Sequence, residues 1–445
     1  MKKILKNCFA SANADNIYQL DGQVPLTRAL PFGLQHILTM FVSNIIPIYL
    51  LCASCVSDKA LQVSLMQNAM IVAGIGTLIQ LFPVWRIGSR LPIVMGLSFT
   101  FLSLSIVVAS QFGMGTLVGA IIVGGLIEGT LGLLAKYWIK LITPVVSASV
   151  VTAIGFSLLT VGANSFAGGE GAADFGSTHN WIVAMATLVT CCIVQWKGKG
   201  MWRSLALLFG MIAGYIVALC FGLVDLTLFH NLKIITLPHL LPFKPEFNIG
   251  AILSFVAIFL VSAAETIGDT TAVTNGIFKR GITERELSGS IACDGFVSAI
   301  AGLFGCPPIT SYSQNIGVLN MTRVVNRFAI ASGAVILIMA GLFPIIGAAL
   351  GSIPNPVLGG CSVILFGSII YTGISMIAAC AKDNPVRTSS IVALSLSIGL
   401  GFTAVPEIFC QAPKILQTIF ANNCVALVFV VACILDKCVP NDMGN

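Results

Sequence analysis

Charge is what this chain most lacks. Asp, Glu, Lys and Arg make up 9% of its 445 residues, where a soluble globular domain carries about a quarter. With 57% apolar residues and a mean hydropathy of +0.97, that scarcity excludes a water-soluble fold and points to an integral membrane protein. Long polar intervals are missing too: no gap between apolar runs exceeds roughly 25 residues, too short for a separate soluble domain. Nothing matches a GxxxxGK[ST] phosphate loop, so an ion gradient is the expected energy source rather than ATP bound by this chain. Histidine is rare, four residues with no HExxH pair, which argues against a metal centre and against an enzyme. The 14 cysteines are scattered through apolar segments, where Cys behaves as a small hydrophobe. Cys52 and Cys55 have a redox or metal spacing, but no second pair completes it.

What is present is a series of apolar runs of about 17 to 25 residues, the length of a helix crossing the hydrocarbon core. Strands of a membrane barrel would alternate apolar and polar instead. The expected fold is an all-α polytopic membrane protein with fourteen segments, near residues 30–52, 61–83, 91–110, 114–135, 138–162, 180–196, 202–223, 249–276, 287–304, 308–321, 326–350, 355–379, 387–404 and 414–435. With the N-terminus in the cytoplasm, of the 23 Lys and Arg only Lys59, Lys233, Lys244 and Lys414 fall on the far side. That is the asymmetry of the positive-inside rule. The net charge of +6 therefore records topology and gives no reason to expect a nucleic acid partner. The start, MKKILKNCFASANA, has an apolar core too short and interrupted for a cleaved leader. The expected organisation is a cytoplasmic tail over 1–25, a first seven-segment repeat over 26–225, an extracytoplasmic connection over 226–248, a second repeat over 249–436 and a cytoplasmic tail over 437–445.

The repeat is visible in two places. RLPIVMGLSFTFL (90–102) aligns with CPPITSYSQNIGV (306–318), and TPVVSASVVTAIG (143–155) aligns with NPVLGGCSVILFG (355–367). Seven segments is an odd number, so the second copy is expected to be inverted, the pattern of secondary transporters with interrupted helices at matching places. Pro307-Pro308 cannot lie within a continuous helix, and the polar stretch after it cannot face lipid. Segments 3 and 10 are therefore expected to enter as short extended stretches, 91–96 and 307–312, and to begin half-helices near Ser98 and Gln314. Their unpaired first-turn N–H groups would meet near the midplane. That junction is the expected binding site.

Four carboxylates fall inside the expected spans, each costly to bury and a functional suspect by default. Glu265 and Asp269 are four apart on one helix face among small residues, which favours a functional pair over a helix-linking one. Glu128, in GGLIEGTLG, reads more readily as an interhelical hydrogen-bonder. Asp294 in ACDGF either tethers a neighbouring half-helix or takes part in function, and both remain open. Gln314 and Asn315 offer donor and acceptor together, and beside a carboxylate they suit the alternating N–H and C=O edge of a purine dione. Phe99 could stack on such a ring or simply pack. His36, in GLQHILTMF, either orients polar neighbours or is a satisfied buried histidine.

QNIGVLNMTR (314–323) resembles the signature of the nucleobase–ascorbate transporters: Gln or Glu, then Asn-x-Gly, then Thr, here Gln314, Asn315, Gly317 and Thr322. GLQHILTMF, Glu265 followed by Asp269, Asp294-Gly295 and TSYSQN (310–315) are similar to the xanthine and uric acid permease branch. The resemblance runs from about residue 25 to 435. It implies secondary symport by two inverted sevens divided into core and gate domains, commonly as a homodimer, without a cofactor or metal. Carried over by position, it makes Glu265 the principal substrate-binding carboxylate and Gln314 its partner on the purine edge. Ser98, Phe99 and Ser313 would line the pocket, Asn315 would support the half-helix together with Gly317, and Asp269, Asp294 and His36 would serve the mechanism. Uracil-type relatives usually carry Glu at the place of Gln314, which favours purines. Ser98 departs from the Asn, Ala or Thr expected there, which leaves xanthine and urate both open. The expectation is proton-coupled import of xanthine or uric acid across an inner or plasma membrane, with both termini cytoplasmic. The rivals are a uracil or other nucleobase symporter and an anion exchanger on the same scaffold.

Overall fold

The computed structural model describes residues 14–138, 143–229, 233–421 and 423–440. Most of the two expected tails lies outside these residues. The first half contains α1 (Leu26–Cys55), α2 (Lys59–Leu81), strand β1 (Met95–Leu97), α3 (Leu102–Phe112), α4 (Met114–Leu133), α5 (Pro144–Ser157), α6 (Leu159–Phe166), α7 (Thr178–Lys197) and α8 (Ala206–Cys220). The second contains α9 (Ile249–Gly276), α10 (Glu284–Leu303), strand β2 (Ile309–Ser311), α11 (Ser313–Thr322), α12 (Arg327–Leu342), α13 (Pro344–Gly351), α14 (Asn355–Cys380), α15 (Pro385–Ala404), α16 (Lys414–Phe420) and α17 (Cys424–Cys438). Among the described residues eight helices are long and apolar enough to cross a membrane, or nine when α12 and α13 count as one bent span.

Local sequence sets many of the boundaries. Pro stands in the first turn of α5, α14 and α15, where its missing N–H has no intrahelical partner to lose. Thr283 and Glu286 form a reciprocal capping box at the start of α10. Two expected spans are not single rods. The run 326–350 bends by 82° between α12 and α13, because Pro344 cannot continue the i→i−4 ladder. The run 414–435 is divided between α16 and α17, with Asn423 capping the second piece at the Ala426 N–H.

The helices pack as two bundles. One joins α1 to α4 with α9 to α13, chiefly through α4 on α10, α12 on α1 and α2, and α9 on α4. The other joins α5 to α8 with α14, α15 and α17. Glycines permit backbone contact in the first bundle. A Cβ on Gly33 of α1 would stand 2.3 Å from the Ala329 carbonyl oxygen, and one on Gly333 of α12 would stand 2.2 Å from that of Gly33. Gly333→Leu is therefore expected to cost at least about 3 kcal/mol, since the obstacle is backbone and cannot rotate away. Thermal unfolding of the detergent-purified variant, against a Gly317→Ala control whose new methyl meets only open space, measures this.

The ends of the first bundle are tied differently. At one end Arg285 donates to the carbonyls of Trp85 (2.8 Å) and Arg86 (3.0 Å), while Asp21 pairs with Arg90 at 3.0 Å and with Arg327. Basic residues far apart in sequence thus share one face. At the other end the connecting segment is strapped down. The Thr236 and Leu241 N–H groups donate to the Leu342 and Leu303 carbonyls at 3.0 and 2.7 Å, and the Asn68 amide donates to the His239 and Phe304 carbonyls at 2.9 and 2.8 Å.

Candidate functional site

The two interrupted segments meet. β1 and β2 pair antiparallel, Met95 with Ser311, Gly96 with Thr310 and Leu97 with Ile309. The ladder continues at both ends, with the Ser98 N–H donating to Pro308 O (2.9 Å) and the Tyr312 N–H donating to Val94 O (3.0 Å). Extended backbone can lie inside an apolar protein only when its polar groups are paired. Each strand pairs the other, and side chains take the remainder. Asn44 of α1 accepts the Leu97 N–H at 2.9 Å, the Tyr312 hydroxyl donates to Leu97 O at 2.9 Å, and Ser298 both accepts from and donates to Ile309 at 3.0 Å. Gly96 makes room for this arrangement, because a Cβ there would stand 2.3 Å from the Tyr312 ring. Two antiparallel strands from the two halves are what inversion of one half against the other produces.

Each strand leads into a helix start. Ser98 caps a 3₁₀ turn, Phe99–Phe101, that continues as α3, and its hydroxyl accepts the Thr100 N–H at 3.3 Å. Tyr312 precedes α11, whose first residues are Ser313 and Gln314. Both first turns border a cavity of about 390 Å³, within the range of small-molecule sites. Its acids and its amide belong to the first bundle: Glu265, Asp269 and Gln314, with Ser98, Thr310, Ser311 and Ser313 beside them. The second bundle closes it with Val151 and Ile154 of α5, and Ser368, Ile369, Thr372 and Met376 of α14. Phe99 stands at the seam, its ring edge-on to Phe366 of α14 with centroids 5.5 Å apart. Gly317 lines the cavity with no side chain to fill it.

The carboxylates are held by hydroxyls. Thr100 Oγ1 donates to Glu265 Oε2 at 2.7 Å. Ser311 and Ser313 donate to the two oxygens of Asp269 at 2.8 and 2.7 Å, fixing the turn from β2 into α11 upon α9. Asp294 lies deeper, fully buried, accepting from Thr310 at 3.1 Å and from Thr266. Among the described residues no Lys or Arg lines the cavity, so these acids have hydroxyl partners there rather than counter-ions.

All five residues expected to bind substrate, Glu265, Gln314, Ser98, Phe99 and Ser313, border the one cavity, together with Asp269 and Gly317. Asn315, His36 and Asp294 do not line it. Asn315 is 1% exposed and both its amide atoms lack a hydrogen-bond partner among the described residues, as do both ring nitrogens of buried His36. His36 thus makes neither of the hydrogen-bonding contacts expected of it among the described residues. Glu128 likewise corrects its expectation: neither oxygen has a hydrogen-bond partner among the described residues, so it is no interhelical hydrogen-bonder here. Cys52 and Cys55 are free thiols, and no metal-binding cluster of His, Cys, Asp or Glu occurs among the described residues. Three contributors had escaped notice in the sequence: Thr100, Asn44 and Thr266. A polar residue in an apolar span was the available signal for each, and Thr266 adjoins Glu265 directly.

Residues 27–408 match the Xan_ur_permease model of the permease family. Xanthine permease XanQ of Escherichia coli strain K12 is 33% identical over 427 residues, covering 92% of this chain and 91% of that one. Uric acid permease PucK of Bacillus subtilis strain 168 is 34% identical over 388 residues, covering 86% and 89%. Among solved structures, murine Solute Carrier 26 family member A9, an anion transporter in the inward-facing state, superposes with a TM-score of 0.66 at 10% identity, over 98% of this chain and 74% of that one. The transmembrane domain of the cyanobacterial bicarbonate transporter BicA gives 0.56 at 14% identity, over 91% and 96%. These two share the fold. A family match over most of the chain, joined to a membrane fold with a polar cavity at two broken helices, makes this multi-pass membrane protein a transporter rather than an enzyme, and a member of the permease family of nucleobase–ascorbate transporters.

Proposed function

We propose that this permease imports a purine nucleobase, xanthine or uric acid, by symport with protons. The observation that carries the reading is the cavity itself, where a carboxylate, Glu265, and an amide, Gln314, border one space beside an aromatic ring. A carboxylate accepts two N–H groups, and a carboxamide both donates and accepts, which matches the edge of a purine dione. The names of the relatives, xanthine permease and uric acid permease, support the same substrate class.

The bundle containing α1 to α4 and α9 to α13 is the core that carries the substrate, and the bundle of α5 to α8, α14, α15 and α17 is the gate. The acids and the amide move with the first, while the second offers a mostly apolar surface to slide on. Each half supplies seven segments, fourteen in all. Both termini and the Arg86, Arg90, Arg285 and Arg327 face are cytoplasmic, and the 226–248 connection is outside. The working unit is a homodimer. Protonation of Glu265, with Asp294 behind it, removes a buried charge and lets the loaded core move.

Uptake of labelled xanthine, urate, uracil and guanine, with and without a proton gradient, tests the reading; gradient-insensitive uptake or preference for uracil overturns it. The anion-exchange alternative draws on the shared fold, and sulfate or bicarbonate uptake would decide for it. Gln314→Glu is expected to weaken xanthine affinity about tenfold, because the amide donor is lost beside a second acid. Competition binding measures it, and an unchanged affinity removes Gln314 from the ligand set.

A further inference from the structure

Glu128 borders no part of the cavity and takes no part in the reading above. It lies on α4 in the run GGLIEGTLG (124–132). Its glycines let α4 rest directly on α10: a Cβ on Gly125 would come within 2.7 Å of the Ala299 nitrogen, and one on Gly132 within 2.4 Å of the Ala292 nitrogen. A Cβ on Gly295 would stand 2.7 Å from the carbonyl carbon of Glu128. Glu128 therefore abuts the residue that follows Asp294.

Two acids here have oxygens with no hydrogen-bond partner among the described residues. Glu128 is 2% exposed, and neither oxygen has a hydrogen-bond partner among the described residues. Asp294 is 0% exposed and uses Oδ2 for Thr310 and Thr266, while its Oδ1 is unpartnered. Among the described residues the helices packed on α4 bring no nearby cation: α10 supplies Cys293 and Asp294, α9 supplies Glu265 and Asp269, α3 supplies no titratable group, and the short helix Ala135–Trp138 places Lys136 about 12 Å along from Glu128. The charged start of α10, Glu284 to Glu286, is roughly 12 Å or more along the helix from Asp294. An ionised carboxylate with neither water, donor nor cation is prohibitively costly, so such a group holds a proton instead, and neighbouring acids share their protons as a set.

We propose that Glu128 is a proton-holding residue of the transport cycle, exchanging its proton with Asp294 and so with the cavity. The O–H bond at Glu128 breaks as one forms at Asp294 Oδ1, and the negative charge moves the opposite way, the new Asp294 O–H becoming the donor that the Glu128 carboxylate otherwise lacks. Thr310, which both borders the cavity and donates to Asp294, links this pair to the protons that enter from the medium. The inference rests on the proton-symport reading.

The test uses the full chain in proteoliposomes, with labelled xanthine followed in two assays: accumulation driven by a pH gradient, and gradient-free exchange. Glu128→Gln is expected to lower accumulation about tenfold and flatten its pH profile, with exchange kept within about twofold, while Glu128→Asp restores the profile. An unchanged profile in Glu128→Gln would mean a permanently neutral packing group and overturns the proposal. Loss of both assays in both variants would mean a purely structural role and overturns it equally. If the parent protein itself shows no gradient-driven accumulation, the symport reading falls first and this inference with it.

Discussion

Glu265→Gln is expected to reduce xanthine uptake by about 10²-fold or more, with the protein still inserted and folded. The substitution keeps the shape of the side chain. What disappears is one of two acceptor oxygens, the charge that strengthens each hydrogen bond, and the group able to take up a proton. Thr100, whose hydroxyl donates to Glu265 at 2.7 Å, can still donate to the amide oxygen, so the wall of the cavity is preserved. The nitrogen then points a donor at a substrate N–H. Uptake in cells, paired with quantified membrane insertion, measures the effect; normal proton-coupled uptake would remove Glu265 from the mechanism.

Asp269→Ala is expected to lower transport by about 10²-fold through geometry, since displacements near 1 Å at a binding constellation can cost that much. Asp269 grips both Ser311 and Ser313, at 2.8 and 2.7 Å. One of these ends β2 and the other begins α11, so the acid on α9 sets the angle at which Gln314 is presented. Removal leaves two hydroxyls, one buried and one partly so, without their acceptor, at about 1–3 kcal/mol each. Asp269→Asn keeps one acceptor oxygen and is expected to recover part of the activity. Equal loss in both variants would indicate that the charge matters more than the anchoring, and intact transport in Asp269→Ala would refute the anchoring role.

Much of this arrangement was legible beforehand because membrane burial leaves few options for polar atoms. Pro307-Pro308 followed by Thr310, Ser311, Ser313, Gln314 and Asn315 could be neither a continuous helix nor a lipid-facing one. That alone fixed the break and its importance. The Glu265–Asp269 spacing placed both acids on one face of α9, and both line the cavity. The bend at Pro344 was written in the sequence as well, yet the run 326–350 looked uniformly apolar, so hydropathy alone hid it.

Hydroxyls were harder to assign. Ser and Thr occur throughout apolar helices, where most donate back to their own backbone, as Thr39 does to Gln35 O at 2.8 Å. Nothing local distinguishes Thr100, which reaches across to another helix. Glu128 misled for a similar reason. A glycine-rich flank signals close helix contact, and a buried acid in such a contact is ordinarily hydrogen-bonded, but the facing surface of α10 at Ala292, Gly295 and Ala299 offers a backbone already engaged in its own helix.

The amino-acid order by itself determined a membrane-embedded transporter with two broken helices, an acid pair near them and a basic face on one side. Those follow from the cost of leaving backbone groups, charges and prolines in hydrocarbon, a cost paid locally. Only the tertiary structure decided that the two broken segments pair as strands, that the acids and the amide of the cavity sit on one bundle while the other closes over them, and that Glu128 is buried against α10 with neither oxygen partnered among the described residues. Such contacts join residues over a hundred positions apart, and their energies exist only once the helices have packed.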